Sequence, residues 1–268
     1  MRLAFTTLAC PNWTLKQAVE AGHRYGYEGI ELRLVDGEIL RSDLDAEARN
    51  RIQQTCAGMP IVCVDTSVQI AQVDPTLRKQ QVQDGLAFLE MAAAWNAPSI
   101  RVFGGPPANA DEASVIAGAA EGMAALAKRG SELGVAALLE THDAFARART
   151  VGQVLDQADG AGALWDTLHP YRVGEPLPIT LESLGKRLLH VHIKDGRPPK
   201  GGGSNWDLTL LGEGQVPIPT ILGALAEAGY DGWLSVEWEK KWHPDLAEPE
   251  IALPQHIEKL REYLRTIA

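Results

Sequence analysis

Cysteine is scarce in this chain, which has three among 268 residues and no Cys-x-x-Cys pair. An odd number of cysteines argues against a disulfide framework and favours a reducing compartment. Long apolar runs are also missing, since no stretch approaches the roughly 18 apolar residues of a membrane-spanning helix. The apolar opening MRLAFTTLAC is interrupted at Thr6 and Thr7. We therefore interpret it as a first strand rather than an export signal, and expect a cytoplasmic protein with no membrane partner.

A basic run of the kind that binds nucleic acid is absent as well. Lys and Arg number 25 against 35 Asp and Glu, a formal net charge of −10, so nucleic acid is not an expected partner. The HExxH motif, the P-loop and the nucleophile elbow do not occur, so the sequence gives no support to the chemistries that they carry. With 45% hydrophobic and 6% aromatic residues, the composition is that of an ordinary globular protein.

Short apolar runs alternate with longer amphipathic stretches along the whole chain. The strand-like runs are Leu3–Leu8, Gly29–Leu34, Ile61–Thr66, Ser99–Phe103, Val135–Thr141, Ala163–Asp166, Leu188–Ile193 and Trp233–Trp238. The helix-like stretches are Thr14–Tyr25, Leu44–Cys56, Pro75–Trp95, Asp111–Leu133, Thr150–Ala158, Ile179–Lys186, Ile218–Ala228 and Glu250–Ile267. Gly22, Gly134 and Gly229 stand where helices should end, and Thr14 and Asp111 stand where N-caps belong.

Eight strand–helix units of about 33 residues each imply a parallel sheet that closes on itself. We predict a single (β/α)₈ TIM barrel that forms one domain over residues 1–268. An open, doubly wound sheet is the alternative, but it usually has a glycine-rich turn after the first strand, where this chain reads Ala9-Cys10-Pro11-Asn12. The cluster Gly201-Gly202-Gly203 follows the seventh strand, opens no clear helix and is interpreted as a flexible loop.

Acidic and histidine side chains end four successive predicted strands. The carboxyl ends of barrel strands form one face, so these side chains should converge there: Glu140, Asp166, His192 and Glu237. A carboxylate at the end of an apolar strand is costly to bury unless it is paired or bound to metal. Three oxygen-donor residues and one imidazole suit a single divalent cation. Ion pairs with Lys or Arg are the alternative, and Asp166 could instead cap the next helix.

Three other histidines lie near these strand ends, and their positions in the sequence suggest different roles. His142 lies two residues after Glu140 and therefore shares its face. His169 lies in the loop above the sixth strand, where substrate contact and a surface position are equally expected. His190 lies one layer deeper than His192 and is expected in the core or behind the ligands.

Basic residues offer two further hypotheses. Glu31 and Arg33 share a face of the second strand, and we interpret them as a structural ion pair. Lys194, Arg197 and Lys200 fall in the loop after the seventh strand, near where barrels often bind phosphate. A solvated loop is an equally good interpretation of these three residues.

The strand-end segments together resemble a known family, the xylose isomerase-like barrels. Within it they resemble the sugar isomerase/epimerase group that includes ketose 3-epimerases, hydroxypyruvate isomerase and inosose dehydratase. The resemblance rests on Leu138-Leu139-Glu140-Thr141-His142, Trp165-Asp166-Thr167-Leu168-His169, His190-Val191-His192-Ile193-Lys194-Asp195 and Val236-Glu237. Gly26-Tyr27-Glu28-Gly29-Ile30-Glu31 and Leu211-Gly212-Glu213-Gly214 are also typical of the group.

The resemblance implies one divalent metal ion, held by Glu140, Asp166, His192 and Glu237. It implies that Glu140 and Glu237 also move protons, and that His169 contacts substrate. The arginine of the epimerases falls one residue off register from Arg197, and His142 is a further expected substrate contact. The second glutamate that epimerases place after the fifth strand is replaced by Ala146, so the substrate contacts should differ from those of a standard ketose 3-epimerase.

The implied activity is isomerisation or epimerisation of a ketose or related polyol ketone through an enediolate. Mn, Mg or Co is the expected metal, and Zn also suits the ligand set. A dehydratase of the inosose dehydratase type would use the same residues, and a non-catalytic sugar-binding barrel is a third alternative. A small carbohydrate is the expected partner, and the resemblance also allows a homodimer.

Overall fold

The computed structural model describes residues 1–105, 110–203 and 205–267, and its central strands are parallel and form a closed barrel. In chain order the strands are β1 (Arg2–Thr6), β2 (Gly29–Leu32), β3 (Ile61–Gln69), β4 (Ser99–Phe103), β5 (Ala136–Glu140), β6 (Gly162–Asp166), β7 (Leu188–Ile193) and β8 (Trp233–Val236). Each strand pairs with the next one along the chain, and β8 pairs with β1, which closes the ring. The predicted single (β/α)₈ TIM barrel is confirmed.

Helices follow the strands around the outside of the barrel. They are α1 (Leu15–Tyr25), α2 (Ala46–Thr55), α3 (Pro75–Ala94), α4 (Glu112–Leu133), α5 (Ala148–Leu155), α6 (Leu168–Arg172), α7 (Leu177–Leu184), α8 (Ile218–Glu227) and α9 (Pro249–Ile267). Two antiparallel hairpins extend the loops after β2 (Leu34–Val35 with Glu38–Ile39) and after β7 (Asp195–Arg197 with Asp207–Thr209). Within the described residues, no helix combines the length and apolarity needed to cross a bilayer.

Alternation along the strands separates the outer core from the barrel interior. On β2, Ile30 and Leu32 are fully buried in the apolar core, whereas Glu31 between them contacts histidines on β7. Successive strand residues point to opposite faces, so the inward side chains of one strand form layers with those of its neighbours. The interior of this barrel is therefore filled largely by polar and charged side chains near its carboxyl end.

Several boundaries differ from the sequence prediction for local reasons. β1 ends at Thr6 rather than Leu8, because the Thr6 hydroxyl accepts a hydrogen bond from the Leu8 amide at 3.3 Å and starts a short 3₁₀ turn. Helix α1 continues past Gly22 and ends at Gly26, whose φ of 86° lies in the left-handed region. Helix α6 was not predicted as a separate helix. The N-cap predictions for Thr14 and Asp111 are confirmed.

Asp195 fixes the long loop that follows β7. Its carboxylate accepts hydrogen bonds from four backbone amides, those of Gly196, Gly212, Gly214 and Val216. A Cβ atom on Gly214 would lie only 2.0 Å from Asp195 Oδ1, so glycine is needed for this close approach. The Leu211-Gly212-Glu213-Gly214 motif is thus explained by loop anchoring rather than by chemistry.

The buried histidine of α9 gives the fold a pH-dependent term. His256 is 1% exposed, lies beside the Trp238 ring, and has its Nδ1 2.6 Å from the Ala252 carbonyl oxygen. Burial lowers the pKa of His256 to about 4, and the hydrogen bond to Ala252 opposes that shift only in part. Because the unfolded imidazole has the higher pKa, its contribution to stability is complete above about pH 6.5 and is lost as the pH falls towards 4.

We therefore expect His256→Phe to flatten the acid side of the stability curve. Between pH 7 and pH 4 the wild type should lose roughly 3 kcal/mol more of its unfolding free energy than the variant, as the pKa difference sets an upper bound. Urea unfolding at a series of pH values measures this difference. His23→Phe, which changes an exposed histidine, is the control and should follow the wild type. If the unfolding free energies of wild type and His256→Phe fall in parallel with pH, the lowered pKa of His256 is contradicted.

Candidate metal centre

Four side chains from successive strands meet at the carboxyl end of the barrel. Glu140 ends β5, Asp166 ends β6, His192 lies on β7 and Glu237 directly follows β8. Each offers one ligand atom, and these atoms lie within 4.8 Å of one another. The four residues are at most 5% exposed. The structure thus brings together the four residues for which the strand ends and the resemblance predict a ligand role.

The polar atoms of this group fit a divalent cation. Both Glu140 carboxylate oxygens and His192 Nδ1 are buried without a hydrogen-bond partner among the described residues, whereas Asp166 Oδ2 and Glu237 Oε2 contact the Lys194 ammonium group. His192 Nδ1 lies 3.3 Å from Glu140 Oε1 and 3.4 Å from Glu237 Oε2. Donor atoms about 2.1 Å from a shared ion are about 3 Å apart when they are neighbours in its coordination shell. The donor set and its spacing therefore suit one ion.

Lys194 lies inside this cluster rather than in the loop where a phosphate contact was predicted. It is 3% exposed, and its Nζ lies 2.7 Å from Asp166 Oδ2 and 2.6 Å from Glu239 Oε1, with Glu237 also in contact. The sequence left a phosphate contact and a solvated loop as equal interpretations of Lys194, and the structure shows neither, because the inward alternation of His190 and His192 continues for one residue beyond β7. The ammonium group therefore partly offsets the charge of the acidic residues.

Arg101 is a site residue that the strand-end pattern did not identify. It lies on β4, is 1% exposed, and has its Nε 3.3 Å from Glu140 Oε2 and 3.4 Å from Asp65 Oδ1. Its guanidinium carbon lies 3.9 Å from the centre of the Phe103 ring. A charged residue in the middle of the apolar strand Ser99–Phe103 was the signal that could have found it.

The predicted ion pair between Glu31 and Arg33 does not form among the described contacts. Glu31 Oε1 lies 2.9 Å from His192 Nε2, and Oε2 lies 3.2 Å from His190 Nε2. Arg33 follows the end of β2 and donates from Nη1 to the Ser67 hydroxyl at 2.9 Å. Glu31 reaches across the barrel interior to β7. The sequence around Glu31 shows only its neighbours on β2 and therefore does not predict this contact.

The expected substrate-binding residues occupy two different places. The His142 ring lies 4.4 Å from that of His169 and 4.8 Å from that of Phe103, measured between ring centres. His169 Nε2 lies 3.4 Å from Asp166 Oδ2, so this pair of histidines adjoins the cluster. Arg197 is exposed on the hairpin after β7 and, within the described ranges, makes no ion pair with the four ligand residues. The geometry therefore favours the two histidines over Arg197.

Charge and burial oppose each other throughout the cluster. Burial would raise the pKa of Glu237, but Lys194 and His192 outweigh it and hold that pKa well below its usual range. Burial raises the pKa of Asp166 to about 6 in spite of Lys194. Burial lowers the pKa of His169 well below its usual value, and the neighbouring charges of His142 and Lys194 lower it further, so His169 is neutral near pH 7. A divalent cation would offset the remaining excess of carboxylates.

Comparisons with known proteins agree with this architecture. Inosose dehydratase from Lacticaseibacillus casei is 29% identical over 164 residues, 54% of this chain and 52% of that protein. Fructoselysine 3-epimerase from Escherichia coli O157:H7 is 28% identical over 99 residues, 37% of this chain and 33% of that protein. Their matched segments cover about half or less of each relative's length.

Solved structures match over the whole chain. The IOLI protein, whose crystal structure contains a bound zinc atom, has a TM-score of 0.85 at 17% identity. The match covers 100% of this chain and 99% of the IOLI chain. At that identity the similarity concerns the fold. The model of the xylose isomerase-like TIM barrel family matches residues 19–266. The chain therefore belongs to the xylose isomerase-like TIM barrel family.

Proposed function

We propose that this barrel is a divalent metal-dependent isomerase or epimerase of a small ketose or related polyol ketone. The observation that carries the proposal is the convergence of four buried side chains with ligand-type atoms within 4.8 Å of one another: Glu140, Asp166, His192 and Glu237. When bound there, a divalent cation supplies Lewis acidity that polarises a substrate carbonyl and makes the neighbouring C–H bond more acidic. Mn, Mg or Co is the expected ion, and the zinc in the IOLI protein is consistent with a site of this type.

Glu140 and Glu237 are the residues that we expect to move the proton. They come from β5 and β8, which are separated by two strands, and each approaches His192 Nδ1 from its own side. One carboxylate removes the proton next to the carbonyl, which leaves an enediolate. If the other returns a proton to the opposite face of the same carbon, the centre is inverted; if the proton is delivered to the former carbonyl carbon, the carbonyl moves.

His142 and His169 are expected to hold the substrate. Their rings contact each other, and His142 also lies against Phe103, so the pair forms one wall beside Asp166. A neutral imidazole can donate or accept a hydrogen bond, which suits the hydroxyl groups of a polyol. Because Ala146 supplies no carboxylate to this wall, substrate contacts there depend on the imidazoles.

A dehydratase is the second candidate. Elimination of water removes the proton next to the carbonyl, forms a carbon–carbon double bond, and expels the β-hydroxyl as water after it gains a proton. Such a reaction needs an acid in addition to the base, and His142 provides a titratable group beside Glu140 that is not in the ligand set. The similarity to inosose dehydratase also favours this candidate.

Metal content tests the foundation of both candidates. We expect about one divalent ion per chain in purified or reconstituted protein, and loss of that ion in His192→Ala, since the variant removes the nitrogen ligand. Elemental analysis of the folded proteins measures this, and His23→Ala, which changes an exposed histidine on α1, should retain the ion. A wild type that binds no metal after reconstitution would instead favour a non-catalytic sugar-binding barrel.

Glu237→Gln tests the proton-transfer role. Loss of the carboxylate should slow exchange of the substrate C–H proton with heavy water by about a thousand-fold, within the range of general acid–base effects. Mass spectrometry of a ketose panel measures the exchange, and metal analysis of the same sample separates lost chemistry from lost metal. An active variant with full metal content would exclude the scheme of two glutamates.

Product analysis on the same panel separates the two candidate activities. An isomerase or epimerase should give an isomer of the substrate that is heavier only by the solvent deuterium it has taken up, because the proton that leaves is replaced from the heavy water. A dehydratase should give a product that has lost one water and absorbs in the ultraviolet as an unsaturated ketone. Accumulation of the unsaturated ketone as the main product would replace the first candidate with the second.

A further inference from the structure

We propose that Glu31 is a positioning residue that holds the His192 ring so that Nδ1 faces the three carboxylates of the candidate metal centre. This inference deepens the proposed function and rests on its metal site. Glu31 lies on β2, on the far side of the barrel interior from β7, and is fully buried. It is no ligand itself, so its effect on the metal would pass through the imidazole.

Glu31 contacts two histidines and also adjoins Asp65. Its Oε1 accepts from His192 Nε2–H at 2.9 Å, and its Oε2 lies 3.2 Å from His190 Nε2. The ring centres of His190 and His192 are 5.6 Å apart and the rings are nearly perpendicular, and the two oxygens of one carboxylate contact both Nε2 atoms. A proton retained on Nε2 leaves Nδ1 as the nitrogen whose lone pair can bind a metal ion.

A second metal ion is the competing explanation for this group, since Glu31, His190 and His192 also offer ligand atoms close together. The distribution of unsatisfied atoms argues against it. The Glu31 carboxylate oxygens and the Nε2 atoms of His190 and His192 all have hydrogen-bond partners. His192 Nδ1, on the other side of the ring, has none among the described residues. The Glu31 side of His192 is therefore hydrogen-bonded, and the Nδ1 side is open for a ligand.

Removal of Glu31 should act on the metal rather than on the fold alone. Without the carboxylate, His190 and His192 each keep a buried N–H with no acceptor, and the His192 ring loses the bond that fixes its rotation. Loss of such an outer partner typically weakens metal binding by about 10- to 100-fold. We expect Glu31→Ala at the upper end of that range and Glu31→Gln at the lower end, because the amide oxygen can still accept from one imidazole.

Glu175→Gln provides a matched control. Glu175 is also a buried acid, 6% exposed, and it accepts from the Ala148 and Arg149 amides at the start of α5 and from the Thr180 hydroxyl on α7. Its replacement should lower stability through lost hydrogen bonds to α5. It has no contact with His192, so metal affinity should stay at the wild-type level once the protein is folded.

The experiment combines Zn²⁺ affinity, measured by competition with a chelator, with ¹⁵N–¹H spectra of histidine side chains. In the wild type the His192 Nε2–H signal, assigned by its loss in His192→Gln, should be far downfield and slow to exchange. It should shift or vanish in Glu31→Ala, alongside the weaker Zn²⁺ binding, and remain unchanged in Glu175→Gln. An unchanged signal and affinity in Glu31→Ala would overturn the proposal.

Two other results would also overturn it. Equal loss of Zn²⁺ affinity in Glu31→Ala and Glu175→Gln would assign the effect to general destabilisation. Two ions per wild-type chain, with one lost in Glu31→Ala, would make Glu31 a ligand. The spectra can be recorded on metal-free protein, so a wild type that binds no metal would refute the proposed function while the signal still tests the contact between Glu31 and His192.

Discussion

The hydrogen bonding of one buried imidazole governs the arrangement at the carboxyl end of this barrel. His192 has Glu31 at Nε2 and the oxygens of Glu140 and Glu237 near Nδ1, so carboxylates face both edges of a ring that is not exposed at all. Each of these acids comes from a different strand. The ring therefore connects β2, β5 and β8 through the centre of the barrel, and its orientation sets where the ligand atoms meet.

Charge compensation follows from the same arrangement. Burial of several carboxylates in one cluster is costly unless positive charge is close by. Arg101 lies against Glu140 and Asp65, and Lys194 lies against Asp166, Glu237 and Glu239. The acidic side chains still outnumber the basic ones, and the ligand-type atoms of Glu140, Asp166, His192 and Glu237 lie within 4.8 Å of one another. A divalent cation there would balance the cluster, which a purely structural network of ion pairs leaves unbalanced.

The sequence was sufficient for those features that depend on position along a strand. Alternating elements of regular length predicted the closed barrel. Because the carboxyl ends of barrel strands form one face, the residues at those ends were predicted to meet: Glu140, Asp166, His192 and Glu237. Contacts across the interior were not predictable in this way. Glu31 was paired with Arg33 because they are near in sequence, but its partners lie on β7. Lys194 falls just beyond the predicted run Leu188–Ile193, and the run alone does not show that its side chain turns inward to the acids.

In the proposed function the same four residues would serve isomerisation, epimerisation and elimination, so the choice among these reactions would depend on side chains outside that set. Removal of the proton next to the carbonyl is common to all three, and they differ in which atom receives a proton afterwards. In this chain the wall beside Asp166 carries His142 and His169. The resemblance implies a glutamate at the position of Ala146 in the epimerases. An imidazole can protonate a departing hydroxyl, whereas an alanine can neither bind nor protonate a substrate oxygen. The two histidines are therefore the residues whose contacts with substrate oxygens would decide the outcome.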